Sequence, residues 1–290
     1  MQNSESRESR LLSILELKKI DRDLFLGQNE YRQGFRLFGG QVLAQAMRAA
    51  YQTVEGRQAH SAHAYFLRGG SSEQPILFEV ERIRDGKSFT TRRVVAIQEG
   101  DAIFNMDISF QVEEEGFEHS LPMPNVPPPE ELKDDVDVAQ LRENQGSDFS
   151  PMAKINRPFE TRSVFQLGSS SWREKRFSNP VWIRFRDEVD LDDQPLARCL
   201  ISYASDMGLV STASLPHVVG NVDYALQLAS LDHSIWIHRD VPIAEWMLFH
   251  KRTTSAEGSR GMNHADFFSA AGELIASVSQ EGLIRVRERE

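Results

Sequence analysis

Two stretches of this 290-residue chain carry one pattern twice. Tyr65-Phe-Leu-Arg68 lies over Trp236-Ile-His-Arg239, and Ile76-Leu-Phe78 lies over Met247-Leu-Phe249; both pairs are 171 residues apart. The turns at Gly100-Asp101 and Gly272-Glu273 agree at 172. A spacing held across separate segments marks an internal duplication, here of about 110 to 130 residues, so the chain must build one small architecture twice. In the first copy an Ala-rich helix over Phe38–Ala50 precedes four strand-like runs, Ala59–Leu67, Ile76–Arg84, Ser88–Gln98 and Ala102–Val112. Arg84-Asp-Gly-Lys87 and Glu99-Gly-Asp101 read as hairpin turns between them. In the second copy strands are expected at Phe159–Gln166 and Val181–Arg186, and a helix opens at Gln194-Pro195. Further strands are expected at Leu226–Ser230, Ser234–His238, Trp246–Thr254, Gly261–Ser269 and Leu274–Arg285. Helix first and antiparallel meander after is an α+β order, without βαβ repeats. Two such halves can abut edge to edge and hide strands that would otherwise invite aggregation.

The flanks are read more simply. Residues 11–20 predict a short amphipathic helix and Asp23–Gly27 a brief strand. From Glu113 to about Asn156 the chain turns acidic and Pro-rich, with one short helix near 137–143. This divides the chain into an N-terminal unit over 1–115, a linker over 116–156 and a C-terminal unit over 157–290.

Several function classes fall away. A net charge of -10 argues against nucleic acid as a partner. No apolar run reaches the roughly 20 residues of a membrane span. The polar N-terminus has no signal-peptide core, and the C-terminus no peroxisomal Ser-Lys-Leu tail, so a cytoplasmic protein is expected. The single cysteine, Cys199, rules out an internal disulfide and reads as a packed thiol. Gly39-Gly40 is followed by no Gly-Lys-Ser/Thr, so it is not a phosphate loop. No Gly-x-Ser-x-Gly elbow is present. His60, His63, His233 and His238 lack a third ligand at metal-site spacing, and no metal or cofactor is expected. Arg82, Arg84, Lys87, Arg92 and Arg93 are mixed with Glu81 and Asp85, the pattern of a charged sheet face, with contact to the phosphates of an anionic substrate as the alternative.

One carboxylate stands out. Leu196, Leu200, Tyr203 and Met207 form the apolar face of the second helix, and Asp206 is set among them. Aspartate is a poor helix-interior residue because its side chain competes for backbone hydrogen bonds. Either it is a solvated or capping acid, or it has a chemical task. The helix of the first copy, Phe38 to Thr53, has no Asp or Glu. One active site per chain, near the junction of the halves, is therefore expected.

Six segments, Phe38-Gly-Gly-Gln41, His63-Ala-Tyr-Phe-Leu-Arg68, Arg84-Asp-Gly-Lys-Ser-Phe89, Tyr203-Ala-Ser-Asp206, Leu231-Asp-His-Ser-Ile-Trp236 and Ser279-Gln-Glu-Gly282, together resemble the acyl-CoA thioesterase II family. The resemblance covers about residues 11 to 286. It implies a double hot-dog fold, two tandem helix-plus-antiparallel-sheet repeats forming one continuous sheet. It also implies hydrolysis of acyl-CoA to fatty acid and CoA without metal or cofactor, and a homo-oligomer. The family's catalytic Asp, Thr and Gln fall on Asp206, Ser230 and Gln280; Ser for Thr keeps the hydroxyl and loosens it about χ1. Carboxylate, carboxamide and hydroxyl can together hold one water. Direct attack by Asp206 on the thioester is the alternative. The oxyanion and substrate are expected near Gly39 and Gly40, at a helix N-terminus, and near His233. Asp232 is expected to bond to backbone, and Trp236, Trp246, Phe249 and Phe267 to line the core or an acyl tunnel. The alternatives are a hot-dog hydratase or dehydratase, and an acyl-CoA binder without turnover.

Overall fold

In the computed structural model the described residues are 10–29, 36–144, 158–166, 169, 174–190, 192–217 and 224–288. The first half contains α1 (Arg10–Ile14), β1 (Lys18–Asp21), β2 (Leu24–Gly27), α2 (Gly39–Tyr51), β3 (Gln58–Phe66), β4 (Ile76–Asp85), β5 (Phe89–Gln98) and β6 (Asp101–Gln111). After α3 (Asp135–Asn144), the second half runs β7 (Phe159–Ser163), β8 (Ser178–Phe185), α4 (Gln194–Ser205), β9 (Tyr224–Ser230), β10 (Asp232–Ile237), β11 (Met247–Glu257), β12 (Arg260–Ser269) and β13 (Leu274–Glu288). Residues 18–20, expected as the end of the first helix, are instead a strand paired to β2, and α1 stops at Ile14. Five residues are too few to hold helix without packing, and the sheet edge supplies alternative backbone partners.

The strands of the described residues join one antiparallel sheet in the order β1-β2-β4-β5-β6-β3-β10-β13-β12-β11-β8-β7, with β9 added beside β13. The order is a palindrome about the β3–β10 seam, where the two halves meet. In that seam His63 pairs with Ser234, its own equivalent 171 residues on, so the local two-fold axis passes between them. The hairpins agree: Leu77 pairs with Ile97 and Leu248 with Phe268, each shifted by the same spacing. Ahead of the helices the spacing shortens, since β2 pairs Leu26 with Leu77 while β8 pairs Trp182 with Leu248. The extra residues of the second half lie between α4 and β10, in a 3-10 turn at Val210–Ser214 and in β9.

The sheet wraps α2 and α4, which pack against each other beneath it. Alternation fixes this: in β5, Thr90, Arg92, Val94, Ala96 and Gln98 face inward and the residues between them do not. One core runs through both halves, from Leu43, Met47 and Phe78 to Leu200, Phe249 and Phe267. The linker is more than a spacer. Met123, Val126 and Leu132 cover Trp182, Leu248 and Phe268, and the Trp182 indole N–H donates to the Pro127 carbonyl at 2.8 Å. Among the described residues no helix is long and apolar enough to cross a membrane.

Candidate active site

Asp206 does not sit inside α4 but closes it. Its backbone, at φ -87° and ψ -8°, is the C-cap, which removes the conflict between aspartate and helix interior. Gly208 follows in the left-handed region, at φ 64°, and turns the chain away. The end of α4 meets the start of α2. A methyl group at Gly40 would collide with the Tyr203 carbonyl oxygen, and one at Gly39 would lie 2.7 Å from Asp206 Oδ2. The glycine pair is thus what lets the two helices approach. The Gly40 N–H donates to the Asp206 carboxylate. Gly40 thus contacts the acid, and Gly39, at the first helical position of α2, lies beside it.

The sheet brings the other groups. Ser230 ends β9 opposite Gly282, and Gln280 lies two residues earlier on β13. Ser230 Oγ donates to Asp206 Oδ1 at 3.2 Å, and Gln280 Nε2 to the same oxygen at 2.6 Å. Gln280 Nε2 also lies 3.0 Å from His233 Nδ1, and His233 Nε2 lies 2.8 Å from Ser205 Oγ. Asp232, expected on backbone, accepts the Glu281 N–H at 2.7 Å and ties the β9–β10 corner to the residue after Gln280. The side chains of Asp206, Gln280 and His233 are buried. Gln280 Oε1 and, on the strand beside it, Asn263 Oδ1 are buried without a hydrogen-bond partner among the described residues.

Burial pushes the Asp206 carboxyl up to about 6, against donation from Gln280, Ser230 and Gly40. Burial alone pushes the His233 imidazole down to about 3, so it is neutral near pH 7. The Cys199 thiol is pushed up to about 12 and is inert. Ser205 and Asn263 were not singled out in the sequence; a serine on a helix and a polar residue in a strand carry no local signal. Phe249 and Phe267 are core, Trp236 is instead half-buried at the β3–β10 seam with its ring edge-on to His63, and Trp246 packs at the linker-covered cluster. Arg82 and Arg93 pair with Asp23 and Asp107, and Arg92 is buried on Asp85. His60 and His63 bond to Ser109 and Ser234.

The two-fold axis offers an internal comparison. By strand register, Ser230, His233 and Gln280 correspond to Ala59, Ala62 and Ile108, and the C-cap of α2, the position matching Asp206, is Gln52. Ala59, Ala62 and Ile108 are buried core, and Gln52 is exposed. Asn263 corresponds to Arg92, which fills its space and bonds to Thr53 at the end of α2. A cleft of about 450 Å³ opens at that end, by Arg48, Tyr51, Arg57 and Asp193. Its Asp193 is occupied as the α4 cap, accepting from the Leu196 N–H. The carboxylate–carboxamide–hydroxyl cluster is present at the Asp206 end; at the other end the strand positions are apolar and the cap position is an exposed glutamine.

Residues 156–283 match the family model described as acyl-CoA thioesterase, and residues 28–111 match that of the acyl-CoA thioesterase N-terminal domain. The chain is 38% identical to acyl-CoA thioesterase 2 of Haemophilus influenzae over 281 residues, 96% of this chain and 98% of that one. It is 36% identical to human acyl-coenzyme A thioesterase 8, over 95% of this chain and 88% of that one. Among solved structures, the acyl-CoA thioesterase II TesB2 of Mycobacterium marinum superimposes with a TM-score of 0.79 at 35% identity, covering 97% and 99% of the two chains.

Proposed function

From its membership of the acyl-CoA thioesterase II family, to which this chain belongs as a thioester hydrolase, we propose that Asp206, Gln280 and Ser230 hydrolyse acyl-CoA by activating one water. The observation that carries this is the arrangement of acceptors. The Asp206 carboxylate has only acceptors, and Gln280 has both amide hydrogens directed to Asp206 and His233. Its Oε1 is left as a second buried acceptor beside the carboxylate. A water donating one hydrogen to each presents its lone pair to a third body. Placed against that lone pair, the thioester carbon is attacked as Asp206 takes the water's proton. The developing oxyanion falls to the Gly39 N–H at the positive end of α2. Collapse breaks the carbon–sulfur bond, and the CoA sulfur leaves with the proton returned by Asp206. Ser230 donates to Asp206 Oδ1 and keeps the carboxylate ionised and oriented.

Addition of water across a C=C bond, by an Asp/His pair, is disfavoured by His233. Both its ring nitrogens are engaged, one by Gln280 and one by Ser205, and the ring is fully buried. The test is thiol release from saturated acyl-CoA of several chain lengths. Asp206→Asn and Gln280→Ala are each expected to lower kcat by on the order of 10²-fold or more. Full-speed release by Asp206→Asn would overturn the reading.

A further inference from the structure

Donors and acceptors around Gln280 can be placed one by one. An ionised carboxylate cannot donate, so the Gln280 terminal atom 2.6 Å from Asp206 Oδ1 is the nitrogen. The same nitrogen faces His233 Nδ1 at 3.0 Å, so Nδ1 accepts and the ring proton is on Nε2. Nε2 faces Ser205 Oγ at 2.8 Å, which must then accept. The Ser205 hydroxyl hydrogen is directed at the Ser202 carbonyl, also at 2.8 Å, within the last turn of α4. Every step agrees, and the chain of donors ends on a backbone carbonyl, which can only accept.

The geometry points to His233 as the positioning residue that sets which way round the Gln280 carboxamide sits, with Ser205 and the Ser202 carbonyl fixing the His233 tautomer. This rests on the water-activation reading above. The reason a lock is needed is that a carboxamide is nearly symmetric in shape. Turned over, it would place Oε1 against the Asp206 carboxylate and its N–H₂ where the water's hydrogen should go. Asp206 alone penalises that orientation only while ionised. When Asp206 has taken a proton in the reaction, its hold on the Gln280 nitrogen weakens. His233 Nδ1 still demands an N–H, because its other nitrogen is committed to Ser205. Gln280 therefore keeps its carbonyl toward the water through the step in which the carboxylate is neutral. The first half has no such relay: Ala62 stands at the His233 position and Ile108 at that of Gln280. Asp206 itself lies 4.0 Å from His233 Nδ1, so His233 acts through Gln280 and not on the acid directly.

The test is steady-state thiol release by the full chain carrying His233→Phe, His233→Asn and Ser205→Ala, with His233→Phe also built on Gln280→Ala. Phe keeps the volume and removes the acceptor; Asn returns an acceptor close to Nδ1. His233→Phe is expected to lower kcat about 10- to 100-fold, the scale of a small misplacement of a reacting group, with KM changed less than about 3-fold. His233→Asn is expected to recover to within about 5-fold of wild type, and Ser205→Ala to fall less than His233→Phe. On Gln280→Ala, His233→Phe is expected to add less than about 2-fold, since residues acting as one unit are non-additive. Equal loss in His233→Phe and His233→Asn, multiplying losses in the double variant, or a loss confined to KM would each overturn the inference. If Gln280→Ala alone releases thiol at the wild-type rate, the water reading falls; if Gln280→Ala is slow and His233→Phe is not, only the His233 assignment falls.

Discussion

Asp206 is charged at neutral pH among buried neighbours, and the charge costs stability. Its folded value of about 6 is above the ordinary aspartate value of 3.8, so the folded state binds the proton more tightly than the unfolded chain does. Above about pH 6 both states are ionised and the cost is present in full; below about pH 4 both are protonated and it is gone. The shift corresponds to on the order of 3 kcal/mol. Asp206→Asn is therefore expected to be the more stable protein in urea at pH 7, by up to about 3 kcal/mol, with the margin closing near pH 4. Activity runs the opposite way: kcat/KM is expected to fall as pH drops through about 6, and His233, neutral throughout this range, adds no limb of its own. A wild-type pH–rate profile without an acid limb near 6 would remove Asp206 as the base.

At the scale of elements, the site depends on how closely α2 and α4 meet. Gly40→Ala places a methyl against the Tyr203 carbonyl, which is backbone and cannot rotate away, so the helices must part. A loss of about 1–3 kcal/mol in chemical denaturation is expected, with lowered kcat, while Gly116→Ala, with nothing near it, is expected to do neither. That approach was only half legible in the sequence. The strands of both meanders were readable from alternation and from the turns at Asp85-Gly86 and Glu99-Gly100, because each obeys a local rule. Residues 18–20 were not, since a four-residue edge strand takes its shape from its partner. Asp206 stood out as an anomaly, but its place at the helix end is decided by the Gly208 turn and by α2 beside it. Ser205 and Asn263 gave no sign, because what singles them out is the company they keep after folding. The linker's covering of Trp182 was equally hidden, as Pro-rich sequence reads as spacer whether or not it finds a surface.

For the whole molecule, the two-fold axis and the apolar substitutions at one of its ends set the expected stoichiometry. Calorimetric titration with a non-hydrolysable thioether analogue of acyl-CoA is expected to saturate at one equivalent per chain, and two equal sites would contradict the assignment. The seam itself carries a further consequence. β3 and β10 are edge strands of their own halves and interior strands of the joined sheet. A half cut free would offer its neighbours a bare row of amides and carbonyls, the surface on which foreign strands collect. Such a unit is a poor candidate for shuffling into other proteins, and fusion of the two copies removes the risk that they fail to find each other.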